Sequence, residues 1–121
     1  MNDSVQQPLF KDYENAFVSV VVPVFNEAPH VAENLYVLLD ELEMTFKKFE
    51  VIVISDGSTD GTNLEVFRFK SPHIRVRIFP QNMGKGAVIR KGFSEAKGDY
   101  ILFIDGGMEI HPREIRIFIG L

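Results

Sequence analysis

Three stretches of the chain are apolar almost without a break, and all are short: Phe17-Val18-Ser19-Val20-Val21-Val22-Pro23-Val24-Phe25, Val51-Ile52-Val53-Ile54 and Tyr100-Ile101-Leu102-Phe103-Ile104. A strand with no polar alternation has no face to offer water, so it belongs in a sheet covered on both sides, as in parallel α/β domains. The first run, interrupted by Ser19 and Pro23, falls far short of the roughly 20 apolar residues that a membrane span needs. It is the best candidate for a central strand. A further stretch differs in kind: Ile74, Val76 and Ile78 alternate with Arg75 and Arg77, which predicts a strand with one wet face near the sheet edge.

Helical patterns fill the intervals. From His30 to Phe49, Val31, Leu35, Leu38, Leu39, Leu42 and Phe46 recur at steps of three and four and form one stripe of an amphipathic helix. Thr62 and Glu65 match a capping box, which predicts a short helix running through Phe69. Gly84 to Ala96 reads as a third helix, and Pro112 suits the first residue of a last one. The resulting order, β-α-β-α-β-α-β-α with no repeat and no linker, predicts a Rossmann-like α/β fold: a parallel sheet with helices on both faces and right-handed crossovers. With strand order 3-2-1-4, the crevice for chemistry lies between strands one and four at their carboxyl ends.

A chain of 121 residues points to one domain. Residues 1–16 read as a polar lead-in without the basic start and apolar stretch of a signal peptide, and residues 17–121 as the domain itself. The balance of 13 basic against 17 acidic residues, a net charge of −4, offers no general attraction to polyanions, so nucleic acid is not the expected partner. The absence of cysteine excludes disulfides and thiolate-bound metals.

Acidic side chains follow several strands. Asn26 and Glu27 come after the first, Asp56 after the second, and Asp105 then Glu109 after the fourth. Carboxylates gathered on one rim repel unless a cation or a ring of donors compensates, and a nucleotide with a divalent metal would do so. The plainer alternative is that each acid caps the helix after it. Asp56 to Gly61 imitates the first half of a calcium loop, but Phe67 stands where the bidentate Glu is required. The better reading is a turn approaching a ligand, with Asp56 accepting hydrogen bonds from a base or ribose.

Asn82 to Gly92 places glycines and Lys85 at a helix start, a setting that favours phosphate, although the spacing fits neither the P-loop nor the dinucleotide fingerprint. The competing reading is a tight turn whose glycines let the helix pack on the sheet. Lys85 and Arg90 are placed to offset the acidic rim. His30, His73 and His111 lack metal-ligand spacing, and Ser55 and Ser58 have no base that would make a nucleophile. A receiver domain would need an acceptor Asp after the third strand, where Phe79-Pro80 stands instead.

Taken in order, Val18 to Glu27, Val51 to Thr62, Asn82-Met83-Gly84-Lys85-Gly86 and Gly98 to Asp105 closely resemble the family 2 glycosyltransferases, and within them the dolichyl- or polyprenyl-phosphate sugar synthases. The resemblance implies the nucleotide-sugar-binding half of a GT-A fold and transfer of a sugar from a UDP- or GDP-sugar to a lipid-phosphate or glycan acceptor. It implies that Pro23, Phe25, Glu27 and Ile54 line the nucleoside pocket, that Asp56 contacts the base, and that Lys85 and Arg90 contribute to donor binding. Asp105, the catalytic residue by this resemblance, would hold Mg²⁺ or Mn²⁺ with Glu109.

The sequence departs from the family pattern at Gly107, which stands where the second Asp of the metal-binding Asp-x-Asp motif is expected, so weak metal binding is predicted. The family's acceptor half has no counterpart here, which reads as a domain truncated on its C-terminal side. The rival expectation is a non-catalytic nucleotide-binding or assembly module. An exposed apolar edge would favour a homo-oligomer or a membrane-associated partner, and the expected location is cytoplasmic, including the cytoplasmic face of a membrane.

Overall fold

The periodicities above resolve into four parallel strands and three helices in the computed structural model, which describes residues 15–105. The strands are β1 (Phe17–Val24), β2 (Lys48–Asp56), β3 (Ile74–Phe79) and β4 (Tyr100–Phe103); the helices are α1 (Val31–Thr45), α2 (Thr62–Arg68) and α3 (Lys85–Glu95). The sheet order is β3-β2-β1-β4, with every pairing parallel, so the expected 3-2-1-4 topology is the observed one. The expected helix at Pro112 and the residues Gly107, Glu109 and His111 lie outside the described residues.

Period-two alternation divides the apolar runs between the two faces. Val18, Val20, Val22 and Val24 of β1 join Val51 and Val53 of β2 in one cluster with Val31, Leu35, Leu38 and Leu42 of α1 and Val66 of α2. Val21, Ile52 and Ile54 point the other way and meet Val88 of α3. Helices therefore cover both faces, and each fully buried Leu or Ile contributes about 2 kcal/mol. Gly92 lets α3 approach β1, because a Cβ there would lie 2.7 Å from Val21 Cγ1. The packing reading of the glycines near this helix thus holds at Gly92.

Three local expectations change. The first helix stops at Phe46, whose extended backbone (φ −125°, ψ 143°) ends it, and residues 48 to 50 join β2 because the register pairs Phe17 with Lys48. The capping box does not form: Gly61, at φ 99°, is the N-cap, and the Thr62 hydroxyl turns to Asp60 instead. The arginine face of edge strand β3 is not simply wet. Arg75 bonds Glu50 at 2.7 Å and Glu95 at 3.1 Å, and Arg77 reaches Glu95 at 2.8 Å.

Glu50 is the buried hub of that arrangement, 9% exposed, and it also accepts from Ser19 Oγ at 2.6 Å and from the Lys97 N–H at 2.7 Å. Burial pushes its pKa up, but the Ser19, Lys97 and Arg75 donors outweigh it and hold the carboxyl below its ordinary value. The network ties β1, β2, β3 and the α3–β4 connection together at the amino ends of the strands, opposite the crevice.

Candidate functional site

Pro23 explains where the sheet opens. A central strand rarely accepts a residue without an N–H, yet the β1–β4 pairing ends at Val21 and Phe103, so Pro23 has a strand neighbour only in β2. Beyond that point β1 and β4 part. The gap at their carboxyl ends is a cavity of about 490 Å³ lined by Pro23, Val24, Phe25 and Glu27 after β1, Asp56 at the end of β2, Lys85, Val88 and Ile89 of α3, and Phe103, Ile104 and Asp105 at β4. This is where the strand order reverses, with β2 on one side of β1 and β4 on the other.

Six of the residues singled out in the sequence therefore face one space: Pro23, Phe25, Glu27, Asp56, Lys85 and Asp105. Two do not. Ile54 is fully buried and belongs to the cluster that backs Val88, and Arg90 lies exposed on α3 away from the lining. The apolar wall is formed by Val24, Val88, Ile89, Phe103 and Ile104, of which Val24, Phe103 and Ile104 come from the ends of the first and third apolar runs, while nothing in the pattern of α3 marks Val88 and Ile89.

Asp56 has a second task that its sequence position does not announce. Its carboxylate accepts the Met83 N–H at 2.7 Å and the Gly84 N–H at 3.1 Å, while its carbonyl accepts from Asn82 Nδ2 at 3.2 Å. The Met83 and Gly84 amides leading into α3 thus hold the protein's own carboxylate. The loop lies so close to β2 that a Cβ on Gly57, at φ 76°, would fall 2.2 Å from the Asn82 nitrogen. A carboxylate offers about four lone-pair sites, so Asp56 keeps acceptor capacity toward the cavity it lines.

The acids share a rim without forming a metal cage: among the described residues no three His, Asp or Glu side chains are grouped closely enough to hold an ion. Their oxygens are the donor type that Mg²⁺ and Mn²⁺ prefer. A six-coordinate ion at Asp105 would need most of its ligands from elsewhere, and a diphosphate could supply them.

The family described as Glycosyl transferase family 2 matches residues 19–121 of the chain. The chain belongs to glycosyl transferase family 2. Among its curated relatives in this family, the dolichyl-phosphate beta-glucosyltransferase of Saccharomyces cerevisiae is 35% identical over 106 residues, covering 78% of this chain and 31% of the relative. The undecaprenyl-phosphate 4-deoxy-4-formamido-L-arabinose transferase of Pseudomonas syringae pv. syringae is 34% identical over 115 residues, covering 92% and 34%. The chain spans about a third of the length of these relatives.

Solved GT-A glycosyltransferases share the fold. A mannosyltransferase from Pyrobaculum calidifontis in complex with GDP-Man and Mn²⁺ superimposes with a TM-score of 0.68 at 29% identity, covering 77% of this chain and 28% of that one. S. aureus TarS in complex with UDP does so with a TM-score of 0.64 at 28% identity, covering 74% and 27%. Among the described residues no helix is long and apolar enough to cross a membrane.

Proposed function

We propose that this family 2 chain forms the donor-binding part of a glycosyltransferase that moves a sugar from a UDP- or GDP-sugar to an acceptor such as a polyprenyl phosphate. The observation that carries the reading is the shared cavity, with Glu27, Asp56 and Asp105 brought from three strand ends around one space that Lys85 also lines. The relatives act on dolichyl and undecaprenyl phosphates by their names, and the structural neighbours were solved with GDP-Man or UDP.

In this reading Pro23 and Phe25 flank the nucleoside, and Glu27 and Asp56 orient it by accepting hydrogen bonds from its N–H and O–H groups. Lys85 meets the diphosphate. An acceptor phosphate oxygen forms the new bond to the anomeric carbon as the bond to the diphosphate breaks, and the nucleoside diphosphate leaves with that electron pair. An anionic acceptor makes a strong base less necessary than stabilisation of the leaving group. Asp105 and Glu109 would hold Mg²⁺ or Mn²⁺, which neutralises charge on the leaving diphosphate. With Gly107 in place of an Asp, these residues would hold the ion weakly unless the nucleotide were present. A lipid acceptor would set the work at a membrane surface.

Calorimetry with UDP, GDP and their sugars, with and without Mn²⁺, tests the proposal. Binding of one nucleotide, strengthened by Mn²⁺, is expected; binding of none overturns it. Gly107, where a metal-binding Asp is expected, also favours a second reading, a nucleotide-binding module without turnover. Donor hydrolysis separates the two, since binding without release of free sugar selects the module.

A further inference from the structure

Two loops leave the carboxyl ends of neighbouring strands: Asn26-Glu27-Ala28 after β1 and Ser58 to Thr62 after β2. Three successive N–H groups of the first loop are held by side chains of the second. Asn26 N donates to Ser58 Oγ at 3.1 Å, Glu27 N to Thr62 Oγ1 at 2.8 Å and Ala28 N to Asp60 Oδ2 at 3.2 Å. The contact is returned by Thr59, whose N–H donates to Asn26 Oδ1 at 2.7 Å and whose hydroxyl donates to the same oxygen at 3.5 Å. Asp60 joins the set together, because its other oxygen accepts both the Thr62 N–H at 3.0 Å and the Thr62 hydroxyl.

Asn26 sits at φ 51°, a left-handed conformation that Asn tolerates better than most residues but that needs neighbours to keep it populated. The residues on either side of it, Phe25 and Glu27, line the cavity, whereas Asp60 and Thr62 do not. We propose that Asp60 is a positioning residue for nucleotide binding, locking Thr62 and Ala28 together and so holding Phe25 and Glu27 against the cavity from outside its lining. The proposal rests on reading that cavity as the nucleotide site. Its physical content is preorganisation: the rim is ordered on folding rather than at the moment of binding, so its ordering does not subtract from affinity.

The decisive variant is Asp60→Asn. Asn keeps one oxygen for Thr62 but sets an NH₂ against the Ala28 N–H, which removes the link between the loops while leaving the local turn an acceptor. Asn26→Gly is the second variant, since it tolerates the positive φ and deletes only the acceptor for Thr59. Glu65→Gln, on the exposed side of α2 against Arg68, is the control.

UDP and GDP affinities are measured by calorimetry well below the melting temperature, and amide exchange at Glu27 and Ala28 by NMR in the free protein. D60N and N26G are expected to bind nucleotide about tenfold more weakly, with faster exchange at the Ala28 amide in D60N, and E65Q to match the starting protein. In a Phe25→Ala, Glu27→Gln background, adding D60N should change affinity by less than about twofold, because nothing remains for it to position. Affinity of both D60N and N26G within about twofold of the starting protein overturns the positioning role alone. If the unaltered chain binds neither nucleotide, the functional reading falls and the positioning role falls with it.

Discussion

Replacing Glu50 tests whether a charged hub, rather than apolar packing, holds the amino-terminal half of this sheet on the α3 face. Glu50 accepts from Ser19 at 2.6 Å, from the Lys97 N–H at 2.7 Å and from Arg75 at 2.7 Å. Hydrogen bonds to a charged group each contribute about 1.5–3 kcal/mol, and Gln keeps one acceptor oxygen, so E50Q should cost about 2 kcal/mol. E50A leaves the Lys97 N–H without its acceptor and weakens the anchoring of Arg75, which retains Glu95; it should cost about 3–4 kcal/mol.

The pH dependence follows from the lowered pKa of Glu50. A carboxyl whose folded pKa lies below its unfolded value stabilises the fold above the unfolded value, and that contribution fades as pH falls through the folded one. The gap between the unaltered protein and E50Q should therefore be widest near neutrality and shrink below the ordinary glutamate value of 4.5. Glu95 is held low by Arg77 and titrates in both proteins, so the comparison cancels its share. Urea unfolding followed by circular dichroism at about pH 7 and about pH 3.5 measures this gap. A difference below about 0.5 kcal/mol at neutral pH, or one that does not narrow in acid, would refute the reasoning.

Gly57→Ala should destabilise by about 2–4 kcal/mol, combining a left-handed penalty with displacement of the 81–84 loop, and should weaken nucleotide binding beyond what the melting shift explains. Gly92→Ala should also destabilise by about 1–3 kcal/mol, since its Cβ meets Val21, yet leave nucleotide affinity nearly unchanged at temperatures where it is folded. Asp105→Asn should abolish any strengthening of UDP or GDP binding by Mn²⁺ in calorimetry while leaving metal-free binding within about twofold. Gly107→Asp should increase the Mn²⁺ effect, and tight Mn²⁺ binding by the unaltered chain without nucleotide would show that the missing Asp is unimportant.

The strands, the layering and the place of the crevice were legible in the residue pattern, because burial on two faces demands unbroken apolar runs and burial of one stripe demands steps of three and four. Phe17 to Phe25 had to be central, and Ile74 to Ile78, half charged, had to lie at an edge. Glu27, Asp56 and Asp105 could be assigned to one rim because the ends of parallel strands face the same way. Only the folded chain decided what each polar side chain holds. Asp60 reaches the Ala28 N–H, 32 residues away, and Thr62 gives its hydroxyl to this arrangement instead of capping its own helix. Arg75 and Glu50, 25 residues apart, pair because the β2–β3 register sets Arg75 beside Ile52, one same-face step along β2 from Glu50. Apolar burial is read by counting along the chain, whereas a hydrogen bond depends on positions fixed to a few tenths of an ångström by distant strands, and no local pattern carries that information.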